Sequence, residues 1–408
     1  MMPGIQGRLM NDGCLAAADF TLKWRRNGVR FEEVFHAPRV NLWRDLLPGP
    51  ICRGFDGAGE GDRIEAEFKA GDLLPVRDER CIYRVLRRET EPGFAGGLRF
   101  SPRLGRFYPC GVLRGIPGIF RENISPFRCI GLDGEGLVAD LNHPLAGIDL
   151  AFSARILEIR DKFEEHGGTC IDWFETIAGG PGMQAPCAAG PTDFFDRSGF
   201  ERDDASPDPR FYHRPRMVQH IDDTAVGVIR ALYGKLLPPG GRVLDLMSSW
   251  TSHLPDDLPL DRLSGLGMNR DELAANPRLT DVWVHDLNAD PRLPYADGEM
   301  DAVVCSLSVE YLTRPFDVFA EVRRVLKRGG LFAVTFSDRW FPPKAIRLWA
   351  ELHPFERMGF VLELFSGTCG FQRLEAFSAR GYPRPAHDKY ARQRADSDPV
   401  FAVWGRKA

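Results

Sequence analysis

Polar and aromatic side chains follow a predicted buried strand in the C-terminal half of the chain. Asp245 belongs to the apolar run 242–246. The turn after this run carries Ser248, Ser249 and Trp250, which combine hydrogen-bonding hydroxyls with a ring that stacks on other rings. In open parallel sheets, ligands bind where the carboxyl ends of the strands form a crevice. This turn is therefore the first place in the chain where we expect ligand chemistry.

The elements that must position this turn form an alternation of strands and helices. A helix predicted over 222–237 ends at the breaker run 238–241, and a helix is expected after the tight turn that follows the first strand. Apolar spacing predicts another helix over 315–327. The predicted strands are 242–246, 262–267, 282–285, 300–306, 331–336 and 400–404. Such alternation is typical of a parallel sheet covered on both faces.

The order and types of these elements resemble those of class I S-adenosylmethionine (SAM)-dependent methyltransferases. The most specific motif, at 321–331, is similar to the family's E-x-x-R-V-L-K-x-G-G turn before its fifth strand. The run 293–304 is similar to the family's L-P-F-x-D-x-x-F-D stretch before its fourth strand. The resemblance implies an α/β Rossmann-like domain over residues 212–408, with SAM as its cofactor.

The resemblance places the cofactor at the ends of the first four strands, with two departures. The run 247–250 replaces a Gly-x-Gly turn, and Gly267 stands where an acidic residue accepts hydrogen bonds from the ribose. Asn269 or a side chain from elsewhere could supply that acceptor. The predicted cofactor-binding residues are Asp245, Met247, Ser248, Ser249, Trp250, Gly267, Met268, Asn269, Asp286, Leu287 and Ser306. Either they build an altered cofactor pocket, or the domain has kept its fold and lost its ligand.

Methyl transfer depends largely on positioning, so a named catalytic residue is not required. The candidates for a base or an acceptor contact are His220, His253, Glu310 and Tyr311. On the substrate side we expect Arg216, together with Arg339, Trp340 and Phe341 in the loop after the fifth strand. The alternatives are surface His and Arg beside a capping Asp222, and aromatic rings that only cover the edge of a core.

The first 160 residues contain many short β-type runs, and two of their segments resemble the SlyD type of FKBP-like prolyl isomerase. The run 46–68 is similar to that family's helix followed by a G-D strand. The run 140–147 is similar to its D-x-N-H-P-L-A-G turn, and an alternating strand follows over 150–159. The resemblance implies a smaller α+β or mostly β FKBP-like domain over residues 1–160, with a flap insertion near 77–138.

The FKBP-like region is expected to dock a partner rather than to isomerise proline. The tyrosine of the family's apolar pocket is absent near 70–74, whereas exposed apolar side chains over 107–120 would form a peptide-binding surface. We also expect residues 99–128 to project as a flap. The Gly- and Pro-rich composition of residues 161–211 is typical of a linker, although its apolar pieces could pack on a domain.

Composition narrows the classes of function. The net charge of −4 offers no general attraction to nucleic acid, and no apolar run is long enough for a signal peptide or a membrane span, which indicates a cytoplasmic protein. The nine cysteines are scattered, without a C-x-x-C pair, so neither disulfides nor a metal site are expected. The oligomeric state is left open.

We interpret the chain as a SAM-dependent methyltransferase that acts on a protein or peptide presented by the FKBP-like domain. An alternative from another class is a non-catalytic chaperone or assembly factor, in which both domains only bind. A second alternative is a small-molecule methyltransferase, which leaves the N-terminal domain unexplained.

Overall fold

The structure is a computed structural model of the 408-residue chain. It describes residues 8–90, 100–163, 168–187, 192–195 and 197–408. The segment 91–99, which includes the start of the expected flap, lies outside the described residues.

The N-terminal part is mostly β-structure, and the rest alternates between helices and strands. Its elements are β1 (Cys14–Arg26), β2 (Val29–Val40), α1 (Gly49–Phe55), β3 (Arg63–Phe68), β4 (Ile82–Leu86), β5 (Phe107–Pro109), β6 (Pro126–Leu132), β7 (Gly136–Asp140) and β8 (Leu150–Asp161). The following elements are α2 (Trp173–Ala178), α3 (Asp208–Tyr212), α4 (Asp223–Leu236), β9 (Arg242–Leu246), β10 (Arg262–Gly267), α5 (Arg270–Ala275), β11 (Asp281–Val284), β12 (Met300–Ser306), α6 (Pro315–Val325), β13 (Leu326–Phe336), α7 (Arg347–Glu351), α8 (Pro354–Gly367), β14 (Phe371–Arg380) and β15 (Val400–Lys407). Short 3₁₀ turns cover Glu79–Cys81, Arg87–Glu89, Cys110–Val112, Arg197–Phe200 and Val309–Tyr311.

One eleven-stranded sheet runs through both halves of the chain, in the order β11-β10-β9-β12-β13-β15-β14-β2-β1-β8-β3. The five strands from β11 to β13 are parallel, and β15 is antiparallel to both of its neighbours. The order of these first five strands is that of a doubly wound nucleotide-binding sheet. The carboxyl ends of β9, β10, β11 and β12 therefore meet at one edge.

Most of the predicted C-terminal elements are confirmed. The strands predicted over 242–246, 262–267 and 300–306 have the bounds of β9, β10 and β12. Helix α4 begins after Asp222, whose carboxylate accepts hydrogen bonds from the backbone N–H groups of Thr224 and Ala225. The helix expected after the first strand is wrong, because residues 247–261 form turns and coil. The loop that follows β9 is consequently held by side-chain hydrogen bonds rather than by helical ones.

A separate FKBP-like domain is not confirmed, because the N-terminal strands extend the C-terminal sheet. The predicted closing strand is present as β8 and pairs antiparallel with β1 and β3. However, β2 pairs parallel with β14, with Arg30 opposite Glu375 and Phe35 opposite Arg380. Glu33 at this junction is fully buried and accepts a 2.6 Å hydrogen bond from Arg380 Nε. The two halves thus share one sheet.

The insertion forms a second, antiparallel sheet, in the order β4-β7-β6-β5. We expected this insertion to project as a flap. That expectation is wrong for the base of the insertion, which packs on α8. Arg106 is 2% exposed, and its Nε lies 3.5 Å from Glu356 Oε1 on that helix. The outer loop is open, with Phe120 71% and Ile124 82% exposed.

The described part of the expected linker is packed rather than free. Trp173 in α2 is 4% exposed, and its indole Nε1 donates a 3.0 Å hydrogen bond to Asp45. Asp204 and Asp208 lie 3.3 Å and 3.2 Å from the ammonium of the buried Lys344. The segment before α4 is therefore fastened to the C-terminal half. None of the helices among the described residues combines the length and apolar character needed to cross a membrane.

Candidate cofactor and acceptor site

A pocket opens at the edge where the carboxyl ends of β9, β10, β11 and β12 meet. Asp245, Gly267 and Asp286 lie together there, at or just beyond neighbouring strand ends. All eleven residues predicted to bind the cofactor line this pocket, and so do His220, His253, Tyr311, Arg216 and Phe341. The pocket also takes in residues that sequence reasoning missed, including Asp208, Tyr212, Gln219, Glu272, His285 and Asn288.

The turn after β9 is organised around the Asp245 carboxylate. Asp245 is 4% exposed, and its Oδ2 accepts 2.6 Å hydrogen bonds from the hydroxyls of Ser248 and Ser252. Burial raises the pKa of Asp245 to about 6, although the two hydroxyls act to lower it. Met247 has a φ of +58°, a left-handed conformation that favours glycine. The backbone at Met247 therefore has a conformation typical of glycine. Ser248 and Ser252 hold the Asp245 carboxylate beneath the turn.

The same turn explains why residue 267 has no side chain. The Ser248 N–H donates a 2.7 Å hydrogen bond to the Leu266 carbonyl, which brings the turn against the end of β10. A Cβ atom at position 267 would collide with the Ser248 carbonyl oxygen. An acidic residue is therefore excluded from this strand end.

Asn269 is used by the fold and does not replace the missing acid. Its Oδ1 accepts from the N–H groups of Asp271 and Glu272, and its Nδ2 donates to the carbonyls of Tyr212 and His213. Both lone pairs of that oxygen are occupied, so the prediction that Asn269 supplies the acceptor is not supported.

Glu272, on the first turn of α5, is a better acceptor. Its Oε1 accepts a 2.7 Å hydrogen bond from the Arg216 N–H, and its Oε2 accepts a 2.6 Å bond from the Ser249 hydroxyl. Each carboxylate oxygen keeps a second lone pair. The signal that could have found it is the Asn-x-x-Glu spacing from Asn269, which is typical of the start of a helix.

The outer end of the pocket is aromatic. The Arg216 guanidinium lies 4.5 Å from the ring centroid of Phe211, 5.8 Å from that of Tyr212 and 5.5 Å from that of Phe341. The ring of His220 packs edge-on against Phe341, with 5.2 Å between centroids. These side chains come from the segment before α4 and from the loop after β13.

Two of the expected substrate-side residues do not line the pocket. The Arg339 guanidinium lies 4.5 Å from the ring centroid of Tyr390, outside the pocket. The Trp340 ring packs against the guanidinium of Arg357, at 4.2 Å, and contacts the hydrophobic core. Trp340 therefore covers the core, which was the alternative interpretation.

The titratable candidates differ in their access to the pocket. His253 is 9% exposed and lines the pocket, and its Nδ1 makes no hydrogen bond within the described part of the chain. Burial lowers the pKa of His253 to about 4, so its ring is neutral near pH 7. Glu310 is 1% exposed and lies behind the wall that Tyr311 forms.

Comparison with known proteins agrees with this architecture. The family model described as "Methyltransferase domain" matches residues 266–334. The ubiquinone/menaquinone biosynthesis C-methyltransferase UbiE of Paraburkholderia xenovorans is 28% identical over 138 residues, which cover 34% of this chain and 54% of that protein. The UbiE of Cupriavidus metallidurans is 28% identical over 121 residues, 29% of this chain and 47% of that protein. The chain thus spans about half the length of these curated relatives.

Solved methyltransferase structures are similar to a part of the chain. A SAM-dependent methyltransferase from Thermotoga maritima has 15% identity and a TM-score of 0.33, covering 44% of this chain and 89% of that one. One from Mesorhizobium loti has 17% identity and a TM-score of 0.31, covering 44% and 96%.

The family match over residues 266–334, the parallel sheet and the position of the pocket support a SAM-dependent methyltransferase domain in the C-terminal half. The cofactor of such a domain is S-adenosylmethionine.

The residues of the pocket fit this cationic cofactor. Four carboxylates line the pocket, those of Asp208, Asp245, Glu272 and Asp286, against one guanidinium, that of Arg216. Arg202 and Lys344 pair with Asp208, which leaves the other three to favour a positive ligand. The Nδ1 of His253, which has no hydrogen-bond partner among the described residues, offers a buried polar contact to the ligand.

Proposed function

We propose that the protein transfers the methyl group of SAM to a small planar acceptor, bound between Phe341, Tyr311 and Tyr212 beside Arg216. The aromatic wall next to the cofactor residues is the observation that supports this function. Rings bind planar conjugated molecules by stacking, and the guanidinium favours an acceptor with negative charge.

The position of the N-terminal half supports a small acceptor. Every residue that lines the pocket lies between positions 208 and 341. Strand β2 is five strands from β9 in the sheet, which at about 4.8 Å per strand separates them by about 24 Å. A small molecule held by the N-terminal strands would not reach the pocket.

The residues act mainly by binding and positioning. When it is bound, SAM supplies an electrophilic methyl group on its sulfonium and a neutral thioether as leaving group. Glu272 would accept hydrogen bonds from the ribose hydroxyls, and Asp286 with Leu287 would contact the adenine. Asp245 holds negative charge beneath the turn after β9, while Phe341 and Tyr311 orient the acceptor and exclude water. The names of the two curated relatives, both C-methyltransferases, support an acceptor of the same kind.

Calorimetry and label transfer on the full chain test this proposal. We expect SAM and S-adenosylhomocysteine to bind, and radiolabelled methyl to pass from SAM to members of a panel of phenols and enols. Phe341→Ala should reduce the transfer at least tenfold while SAM binding stays within about twofold of wild type, because the lost ring contacts the acceptor. Absence of binding at millimolar SAM would instead favour the non-catalytic assembly factor.

A second candidate function is methylation of a protein or peptide that the N-terminal half presents. The exposed side chains of Phe120 and Ile124 in the outer loop of the insertion favour it. Phe120→Ala separates the two candidates. This variant should leave transfer to a small acceptor unchanged, whereas it should reduce transfer to unfolded peptides if the loop docks them.

A further inference from the structure

A buried carboxyl group stands directly behind a phenol of the pocket wall. Glu310 and Tyr311 belong to the 3₁₀ turn Val309–Tyr311, immediately after β12. Tyr311 lines the pocket, whereas Glu310 is 1% exposed and lies beyond it. The Oε2 of Glu310 makes no hydrogen bond within the described residues. A buried carboxyl oxygen without a partner is costly, and such groups are concentrated at functional sites.

Tyr311 lines the pocket and is the neighbour of Glu310 in the same turn. The Tyr311 hydroxyl oxygen accepts a 2.8 Å hydrogen bond from the Phe341 N–H. The Tyr311 hydroxyl and the Glu310 carboxyl are close enough for each group to shift the pKa of the other. Because the backbone N–H already donates to the phenol oxygen, the phenol proton is free to point towards the carboxylate.

Charged and titratable groups from several elements face Glu310. They are Arg357 of α8, Tyr212 of α3, Cys305 of β12 and Tyr311 itself. Burial raises the pKa of Glu310 to about 7, while Arg357 and Tyr311 act to lower it. Burial also raises the pKa of Tyr311 well above its usual range. Glu310 therefore changes charge near neutral pH, whereas Tyr311 does not form a free phenolate.

We propose that Tyr311 and Glu310 form a proton relay for an acceptor with an acidic hydroxyl group, such as a phenol or an enol. This inference rests on the proposed function. Tyr311 is the catalytic residue, because it contacts the acceptor, and Glu310 is the positioning residue behind it. The acceptor proton passes to the Tyr311 oxygen as the phenol proton passes to the Glu310 carboxylate. The acceptor electron pair forms the bond to the methyl carbon, and the carbon–sulfur bond breaks with its electrons left on sulfur.

A coloured phenol tests the relay without turnover. 4-Nitrophenol, whose anion absorbs visible light, is titrated into the full chain with S-adenosylhomocysteine present, from about pH 5.5 to about pH 8.5. In the wild type, the ionised fraction of bound 4-nitrophenol should rise with pH over the same range in which Glu310 loses its proton. In Glu310→Gln and Tyr311→Phe we expect it to be at least tenfold lower near neutral pH, because a link of the relay is missing. Glu310→Asp should restore part of the signal.

The matched control is Glu363→Gln. Burial raises the pKa of Glu363 to about 7 as well, but this carboxylate faces Thr192 and does not line the pocket. With an acceptor that the wild type methylates, kcat should rise through about pH 7, and Glu310→Gln should lower kcat about 100-fold and remove that rise with little change in KM. Glu363→Gln should leave both features unchanged.

The outcomes separate the two proposals. Equal ionisation of bound 4-nitrophenol in wild type and Glu310→Gln overturns the relay. Binding of S-adenosylhomocysteine without binding of 4-nitrophenol overturns the phenolic acceptor class. A wild-type chain that binds neither SAM nor S-adenosylhomocysteine overturns the proposed function itself.

Discussion

Asp245 links the stability of the chain to cofactor binding. An exposed aspartate in the unfolded chain has a pKa of about 3.9. Burial raises the pKa of Asp245 to about 6 in the folded protein, so between these values the folded state binds more protons than the unfolded state. The contribution of Asp245 to the free energy of unfolding therefore falls as pH rises from about 4 to about 6. The buried Asp245 carboxylate thus destabilises the folded protein at neutral pH, while its negative charge favours binding of a cation in the pocket.

Asp245→Asn should have opposite effects on stability and binding. The amide removes the buried charge, so we expect the free energy of unfolding at about pH 8 to rise by about 1–3 kcal/mol. SAM affinity should fall at least tenfold, because the pocket that would hold this cationic cofactor loses a negative charge. Urea unfolding at about pH 4 and about pH 8 and calorimetry with SAM measure the two effects. A less stable variant with unchanged affinity would contradict this interpretation.

Trp250 tests whether the altered turn binds the cofactor. The indole is half-buried, lines the pocket and donates a 3.3 Å hydrogen bond to the Val218 carbonyl. Trp250→Ala should weaken SAM binding about two- to tenfold, the value of an aromatic contact of about 0.5–1.5 kcal/mol. Calorimetry provides the measurement. The control is Trp283→Ala, on the exposed edge strand β11, which should bind SAM as the wild type does. If the wild type binds no SAM and Trp250→Ala unfolds, the indole stabilises the core and does not bind the cofactor.

At the scale of elements, the turn after β9 packs closely against the end of β10. The turn lies against Leu266 and Gly267, so its close approach requires that residue 267 have no side chain. Residues 247–261 form turns and coil, and the hydroxyls of Ser248 and Ser252 hold the start of this segment against Asp245. The packing of these two elements thus leaves no room for an acidic side chain at position 267.

Restoring the acidic residue should therefore harm the protein. Gly267→Asp places a Cβ against the Ser248 carbonyl, so we expect the free energy of unfolding to fall by about 1–3 kcal/mol with no gain in SAM affinity. Gly227→Ala in α4 is the matched control. No atom lies within 4 Å of a Cβ there, and the change should raise stability by about 0.5–1 kcal/mol. A Gly267→Asp protein of normal stability that binds SAM more tightly would show that the turn can move.

At the scale of the whole molecule, the N-terminal half completes the C-terminal sheet. Strand β14 has a hydrogen-bonding neighbour on each side only because β2 pairs with it. Two ion pairs also cross between the halves: the buried Glu33 with the half-buried Arg380 at 2.6 Å, and the buried pair Arg106 and Glu356 at 3.5 Å. Breaking a buried ion pair commonly costs about 3–5 kcal/mol. Both halves therefore depend on each other for stability.

We expect the full chain to unfold in one cooperative transition and the fragment 205–408 not to fold alone. Removal of the N-terminal strands leaves the edge of β14 and the partners of Glu33 and Arg106 exposed. Circular dichroism and tryptophan fluorescence during urea unfolding should give coincident curves for the full chain. Two separate transitions, or a soluble fragment that unfolds cooperatively, would indicate independent domains.

The sequence by itself determined the strands of the methyltransferase sheet and the residues at their ends. Buried parallel strands are continuous apolar runs bounded by Gly and Pro, so β9, β10 and β12 were readable residue by residue. Since the carboxyl ends of such strands meet at one edge, the strand order was enough to place Asp245, Gly267 and Asp286 together, and the pocket contains all three.

Only the tertiary structure decided which strands join the two halves and how the polar groups of the site are paired. Periodicity reports which face of a strand is buried, but it does not report which distant edge the strand pairs with. Glu33 and Arg380 are 347 positions apart, and no local pattern links them. Asn269 and Glu272 are three residues apart and both line the pocket, yet the fold occupies both lone pairs of the Asn269 oxygen, whereas each Glu272 oxygen keeps one. Hydrogen-bond partners and steric limits such as that at Gly267 depend on chain segments that meet only in the folded molecule.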